Sequence, residues 1–276
     1  MRRWSWPTMG SVASLAVAGG GGAVESDTVE GSDAVDAAVA EVQAWLSTVE
    51  AALSPYRADS DLCRWRTGAV PLPACSPLLV EVIDAIGALE DLTGGGFHPF
   101  DRLGRFDPTG YVKGWAVERA VGIMVDAGVT DLCLGIGGDL QMVGRADTGR
   151  PWRVAVTDPT DERRIRAVVQ APDDGRLFAV ATSGAAQRGD HIWAGLGGQP
   201  SGSSRADSLA SITVVGPDLG RVDGFATAIW ALARDGSLEQ AWSWLPGSQY
   251  GALAVMPSGE VRQTSAMSSH LVRAAA

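Results

Sequence analysis

The sequence predicts an α+β fold, and three observations lead there. Apolar residues recur at helical spacing through the first half of the chain, whereas short strand-like runs bunch in the second half instead of alternating one for one with helices. Hydrophobic residues make up 46% and charged residues 20%, the balance of a chain that buries a core.

The elements follow in order. Met9 to Val17 reads as a first strand, ended by a turn at Gly19 to Gly22. From Ser32 to Leu53 the residues Val35, Val39, Val42, Leu46 and Val49 make one helical stripe. A second helix, about Ser76 to Leu92, carries Leu79, Val82, Ile86 and Leu89, with Ser76 as N-cap and Pro77 in the first turn. A third runs from about Gly114 to Ala127, closed by Gly128.

Short strands are then predicted at Asp131 to Ile136, Trp152 to Thr157, Ile165 to Gln170, Leu177 to Ala181 and Leu209 to Val215. One more helix, Val222 to Arg234, and a late strand, Tyr250 to Met256, complete the set. Gly197 to Ser204 reads as a mobile loop.

Composition excludes several classes of function. A net charge of -10 opposes any general grip on a phosphate backbone, so nucleic acid is set aside. Cys63, Cys75 and Cys133 lie far apart with no metal-ligand spacing, which reads as free thiols in a reducing compartment. No apolar stretch approaches the ~20 residues that span a bilayer, and Trp4 to Pro7 interrupt any leader-like run, so a cytoplasmic protein without a membrane span is expected.

Five segments can carry chemistry, each beside a plainer explanation. LGIGGDL, from Leu134 to Leu140, lets backbone approach a ligand, but it leads into another strand and not a helix, so a tight hairpin turn competes with a dinucleotide loop. DPTGYVKGWAVE, from Asp107, delivers Lys113 to the mouth of the third helix, where it meets phosphate oxygens or stays solvated. Glu118, one turn on, accepts from ribose hydroxyls or offsets the helix dipole.

Thr182 and Ser183, at a strand end before Gly184, form an anion-holding turn or an ordinary one. His191 is either a base for an attacking hydroxyl or a structural imidazole. Asp223 and Thr227, spaced i, i+4 on one helix face, offer hard oxygens to Mg²⁺, against the alternative of dipole compensation.

Taken in sequence, the segments resemble the FAD:protein FMN transferase family, also known as ApbE, from about Thr8 to Met256. The resemblance is carried by MGS at Met9, SPYRADSDLCR at Ser54, GGGFHP at Gly94, TGYVKGWAVE at Thr109, GIGGDL at Gly135, ATSG at Ala181, HI at His191 and VDGFATAIWAL at Val222. It implies one T-fold-related domain, residues 1–276, of mostly antiparallel strands packed with helices, with an FAD cleft between two lobes.

The resemblance also implies an activity. An Mg²⁺-dependent enzyme would cleave FAD, transfer FMN to a Thr or Ser hydroxyl of an acceptor flavoprotein carrying a flavinylation motif, and release AMP. Met9, Tyr56, Gly95, Gly96, Phe97, Lys113, Glu118, Thr182 and Ser183 would bind FAD. Asp223, Thr227 and the carbonyl of Val112 would hold the metal, and His191 and Lys113 would assist transfer. The chain departs from the family at His98, where Asp is usual, and at Ala194 and Gly195, where Asp-Pro is usual. An FAD pyrophosphatase releasing FMN and AMP, and an FAD-binding protein without turnover, are the alternatives.

Overall fold

The two periodicities sort onto separate layers in the computed structural model, which describes residues 1–19, 29–101, 103–146, 149–184, 209–235 and 237–272. The architecture is α+β. Eight strands form one antiparallel sheet in the order β1-β2-β3-β4-β7-β8-β9-β10, and β5 pairs with β6 in a separate two-stranded ribbon.

The sheet strands are β1 (Arg2–Thr8), β2 (Ser11–Val17), β3 (Leu132–Ile136), β4 (Asp139–Val143), β7 (Phe178–Gly184), β8 (Ser211–Gly216), β9 (Gly251–Val255) and β10 (Val261–Gln263). The ribbon is β5 (Arg153–Asp158) and β6 (Asp161–Gln170). The helices are α1 (Val29–Leu53), α2 (Asp61–Arg66), α3 (Pro77–Leu92), α4 (Thr109–Asp126), α5 (Leu219–Asp235) and α6 (Leu238–Trp242). Among the described residues no helix is long and apolar enough to cross a membrane.

Each face of the sheet has its own core. On the helix face, Leu15, Leu134, Ala179, Ala181, Ala252 and Ala254 pack against α1, α3, α4 and α5. On the opposite face, Phe178, Val180, Val215, Leu253 and Val255 meet Val156 and Val169 of the ribbon and Trp152 just before it. Alternate residues of β7 and β9 therefore serve the two sides, small ones toward the helices and larger ones toward the ribbon. Strands buried on both faces read as unbroken apolar runs, which is how the sequence locates β7, β8 and β9, although β7 runs three residues past Ala181.

Four expectations needed correction. Met9 to Val17 is not one strand: Met9 and Gly10 form the turn between β1 and β2, and Arg2 to Thr8 is itself an edge strand, where Pro7 is tolerated. The third helix begins at Thr109 and not Gly114, because packing against α5 outweighs the poor helix propensity of Gly110 and Gly114. The helix predicted at Val222 to Arg234 begins at Leu219, three residues earlier. Thr182, Ser183 and Gly184 are not a turn but the end of β7, paired with Thr213, Ile212 and Ser211 of β8, whose ladder extends the strand past its apolar run. LGIGGDL is the tight hairpin turn that competed with a dinucleotide loop, Gly137 and Gly138 having positive φ between β3 and β4. Gly20 to Gly22 and Gly197 to Ser204 lie outside the described residues.

Candidate functional site

The site is built where α4 crosses α5. Gly110 and Gly114, four residues apart on α4, face Thr227 and Asp223, four residues apart on α5. A Cβ added at Gly114 would lie 2.4 Å from the carbonyl oxygen of Leu219 and 2.9 Å from the Asp223 Cβ; one at Gly110 would lie 3.0 Å from the Thr227 side chain. Only glycine lets the axes come this close.

Backbone then meets side chain directly. The Gly114 N–H donates to Asp223 Oδ2 at 3.2 Å, and the Thr227 hydroxyl donates to the Gly110 carbonyl at 3.4 Å. The pair shares one face, as its spacing predicted. The backbone oxygen at Thr227 is that of Gly110, two residues before Val112, whose side chain is buried beside the cavity described below.

Lys113 completes the centre. Because α4 begins at Thr109, Lys113 lies beyond the first turn, away from the helix's open N–H groups. Its ammonium pairs with Asp139 Oδ2 of β4 and lies 4.0 Å from Asp223 Oδ2. The two carboxylate side chains are 4% and 6% exposed and Lys113 14%. Carboxylates so buried are strongly destabilising unless a cation meets them.

Asp139 Oδ1 accepts the Thr182 N–H at 3.4 Å, and the Thr182 and Thr213 hydroxyls bond at 2.9 Å. Lys113, Thr182, Asp223 and Thr227 are thus drawn together from α4, β7 and α5. Ser183, the next residue on β7, is buried.

Asp139 was missed as a site residue because it was read only as part of a glycine turn. The signal was present in DLQMV, where the inward positions of an amphipathic strand are Asp139 and Gln141. Gln141 caps α5: its Oε1 accepts the Leu219 N–H at 3.1 Å and its amide donates to the Pro217 carbonyl at 2.9 Å. Glu118 also serves that helix end, accepting the Gly220 N–H at 3.0 Å. Burial raises the Glu118 pKa, against the opposing pull of that N–H. Tyr111 is pushed up to about 12 by burial and stays a neutral phenol.

A cavity of about 600 Å³ opens beside Lys113. Its walls bring together Met9, Tyr56, Val112 and Lys113 of the predicted set, with Glu50 and Asp107 added. Its size is that of a small-molecule site. Tyr56 is 83% exposed, presenting an aromatic face at the rim.

Gly95, Gly96 and Phe97 take a different place. Gly95 has φ +81°, a Cβ on Gly96 would lie 2.5 Å from Leu232, and Phe97 is buried with its ring edge 3.2 Å from the Cβ position of Gly110. This segment supports the first turn of α4 from behind. His98 stacks near Phe100, with ring centroids 5.3 Å apart. His191, Ala194 and Gly195 lie outside the described residues.

The sequence profile of the ApbE family matches residues 100–247, more than half of the chain. A protein named FAD:protein FMN transferase from Vibrio cholerae is 25% identical over 288 residues, covering 84% of this chain and 81% of that protein. One of the same name from Klebsiella pneumoniae is 30% identical over 129 residues, 44% of this chain and 35% of that protein.

Solved structures share the fold. The Pseudomonas stutzeri flavinyl transferase ApbE, in its apo form, superposes with a TM-score of 0.74 at 21% identity, covering 98% of this chain and 97% of its own. The ApbE protein of Thermotoga maritima gives 0.75 at 17%, covering 99% of each chain.

Proposed function

This chain belongs to the ApbE family, and from that premise we propose that it is an Mg²⁺-dependent FAD:protein FMN transferase. The observation that carries the reading is Lys113, which lines a ligand-sized cavity and on its other side meets the buried carboxylates of Asp139 and Asp223, with Thr227 one turn beyond Asp223. The substrates are FAD and a Thr or Ser hydroxyl of an acceptor flavoprotein, as the names of the relatives suggest.

The donor set fits the metal. Asp223, the Thr227 hydroxyl and the carbonyl of Val112, with the Gly110 carbonyl beside Thr227, offer oxygen only, the choice of a hard divalent ion that keeps water and phosphate as its other ligands. When bound, Mg²⁺ supplies charge neutralisation at the pyrophosphate.

The chain's own residues do the rest. Lys113, held by Asp139, presents its ammonium to phosphate oxygens, and the acceptor hydroxyl forms a new P–O bond at the FMN phosphorus. The anhydride bond breaks, AMP leaves with the other phosphate, and His191 takes the hydroxyl proton. Tyr56 and the Met9 turn hold the flavin end in the cavity, while Thr182, whose N–H donates to Asp139, steadies the carboxylate that pairs with Lys113, with Ser183 buried beside it on β7. Glu118 acts at one remove by fixing the start of α5, and Gly95 to Phe97 act by bracing α4. Residues 1–276 act as one domain, and the three free thiols suit a reducing, cytoplasmic setting.

Chromatography of the reaction tests this. Incubation with FAD and Mg²⁺ alone, and with an acceptor flavoprotein added, is expected to give AMP that rises with acceptor and vanishes with EDTA. AMP and free FMN at a rate indifferent to acceptor would reassign the chain as a pyrophosphatase. Absence of AMP under every condition would leave only FAD binding.

A further inference from the structure

We infer that Glu50 is a positioning residue for FAD, fixing the Met9–Gly10 turn in the shape that forms one cavity wall. The inference rests on the reading of this cavity as the FAD site. Register pairs Thr8 with Ser11, so Met9 and Gly10 alone make the turn between β1 and β2. Their φ angles are 49° and 69°. Positive φ at both central residues is the requirement of the mirror-image hairpin turn, which favours Asn, Asp or Gly at the first of them.

Methionine satisfies none of those preferences. Among the described residues Met9 is the only non-glycine with positive φ, and its side chain lines the cavity while also touching the main core. A strained residue persists only where its surroundings over-determine it, and such residues gather at binding sites. Here the restraint is visible: the Met9 N–H donates to Glu50 Oε2 at 3.1 Å.

Glu50 stands in the last turn of α1, 41 residues away in sequence, and α1 runs directly on into Ser54 to Arg57, another wall of the same cavity. One carboxylate therefore fastens two walls together. Electrostatics make the case sharper. A carboxylate on the wall of a site for a phosphate-bearing ligand opposes binding, so its place calls for a structural task that outweighs the repulsion.

The experiment is FAD binding by calorimetry to the full chain, with Glu50→Ala and Glu50→Gln, plus amide exchange at Met9. Ala removes the acceptor and Gln keeps it. Glu50→Ala is expected to weaken FAD binding at least about fivefold, raise KM for FAD with kcat within about twofold, and speed exchange at Met9; Glu50→Gln stays within about twofold of wild type.

In a Met9→Asn background, whose residue takes the left-handed turn unaided, Glu50→Ala costs less than about twofold further; that background also serves if Glu50→Ala alone does not fold. A smaller loss in Glu50→Ala, equal losses in Ala and Gln, or a full loss in the Asn background each overturns the inference. If wild type binds no FAD, the cavity reading fails instead, while Met9 exchange still reports on Glu50.

Discussion

The two faces of the central sheet use the same strands to opposite ends. Toward the ribbon, β7 and β9 send Phe178, Val180, Leu253 and Val255 into an apolar layer. Toward the helices they send Ala179, Ala181, Ala252 and Ala254, and β4 sends Asp139 and Gln141. Small and polar residues leave room for α5 to approach and for charge to be paired. The ribbon face maintains the fold; the helix face gives up packing volume to make a site.

This contrast can be broken from either side. The largest effect is expected on the ribbon face: Phe178→Ala should destabilise by about 3–5 kcal/mol, read by denaturant unfolding, with kcat/KM of the surviving folded protein unchanged. A change in kcat/KM would show that the faces are coupled.

On the helix face the order of effects reverses. Asp223→Ala is expected to lower AMP release at least about a hundredfold, or about 2.7 kcal/mol in the barrier, while shifting the melting temperature little. Wild-type AMP release in this variant would remove Asp223 from the mechanism.

Two glycines of α4 sharpen the comparison within one helix. Gly114→Ala places a methyl against Leu219 and Asp223 and should destabilise by about 1–3 kcal/mol with reduced metal-dependent turnover. Gly122 has nothing within 4 Å of its Cβ position, so Gly122→Ala should stabilise by about 0.5–1 kcal/mol through helix propensity, with activity intact. Equal effects at the two positions, measured by unfolding, would show that the close crossing is unimportant.

The ribbon-side strands and the Ser76-capped helix were legible because each obeys a local rule: an apolar run, or a cap followed by a 3.6-residue stripe. β4 was not, since its inward positions are polar and imitate an exposed strand. The start of α4 was hidden by Gly110 and Gly114, whose value appears only against Asp223 and Thr227. At the site, the helical pair and Lys113 could be found from spacing and motif. Asp139 is signalled only by the polar inward positions of DLQMV, its partner Lys113 lying 26 residues away, and Glu50 by nothing local, because its contact is made 41 residues away.

The central claim is that this site moves FMN from FAD to a protein hydroxyl. Mass spectrometry of an acceptor flavoprotein bearing a Thr or Ser motif, after incubation with this chain, FAD and Mg²⁺, tests it directly. The account predicts one added FMN on that hydroxyl, with AMP released in equal amount and no addition in the Asp223→Ala variant. An acceptor left unmodified while FAD is consumed, or labelled equally by the variant, would contradict it.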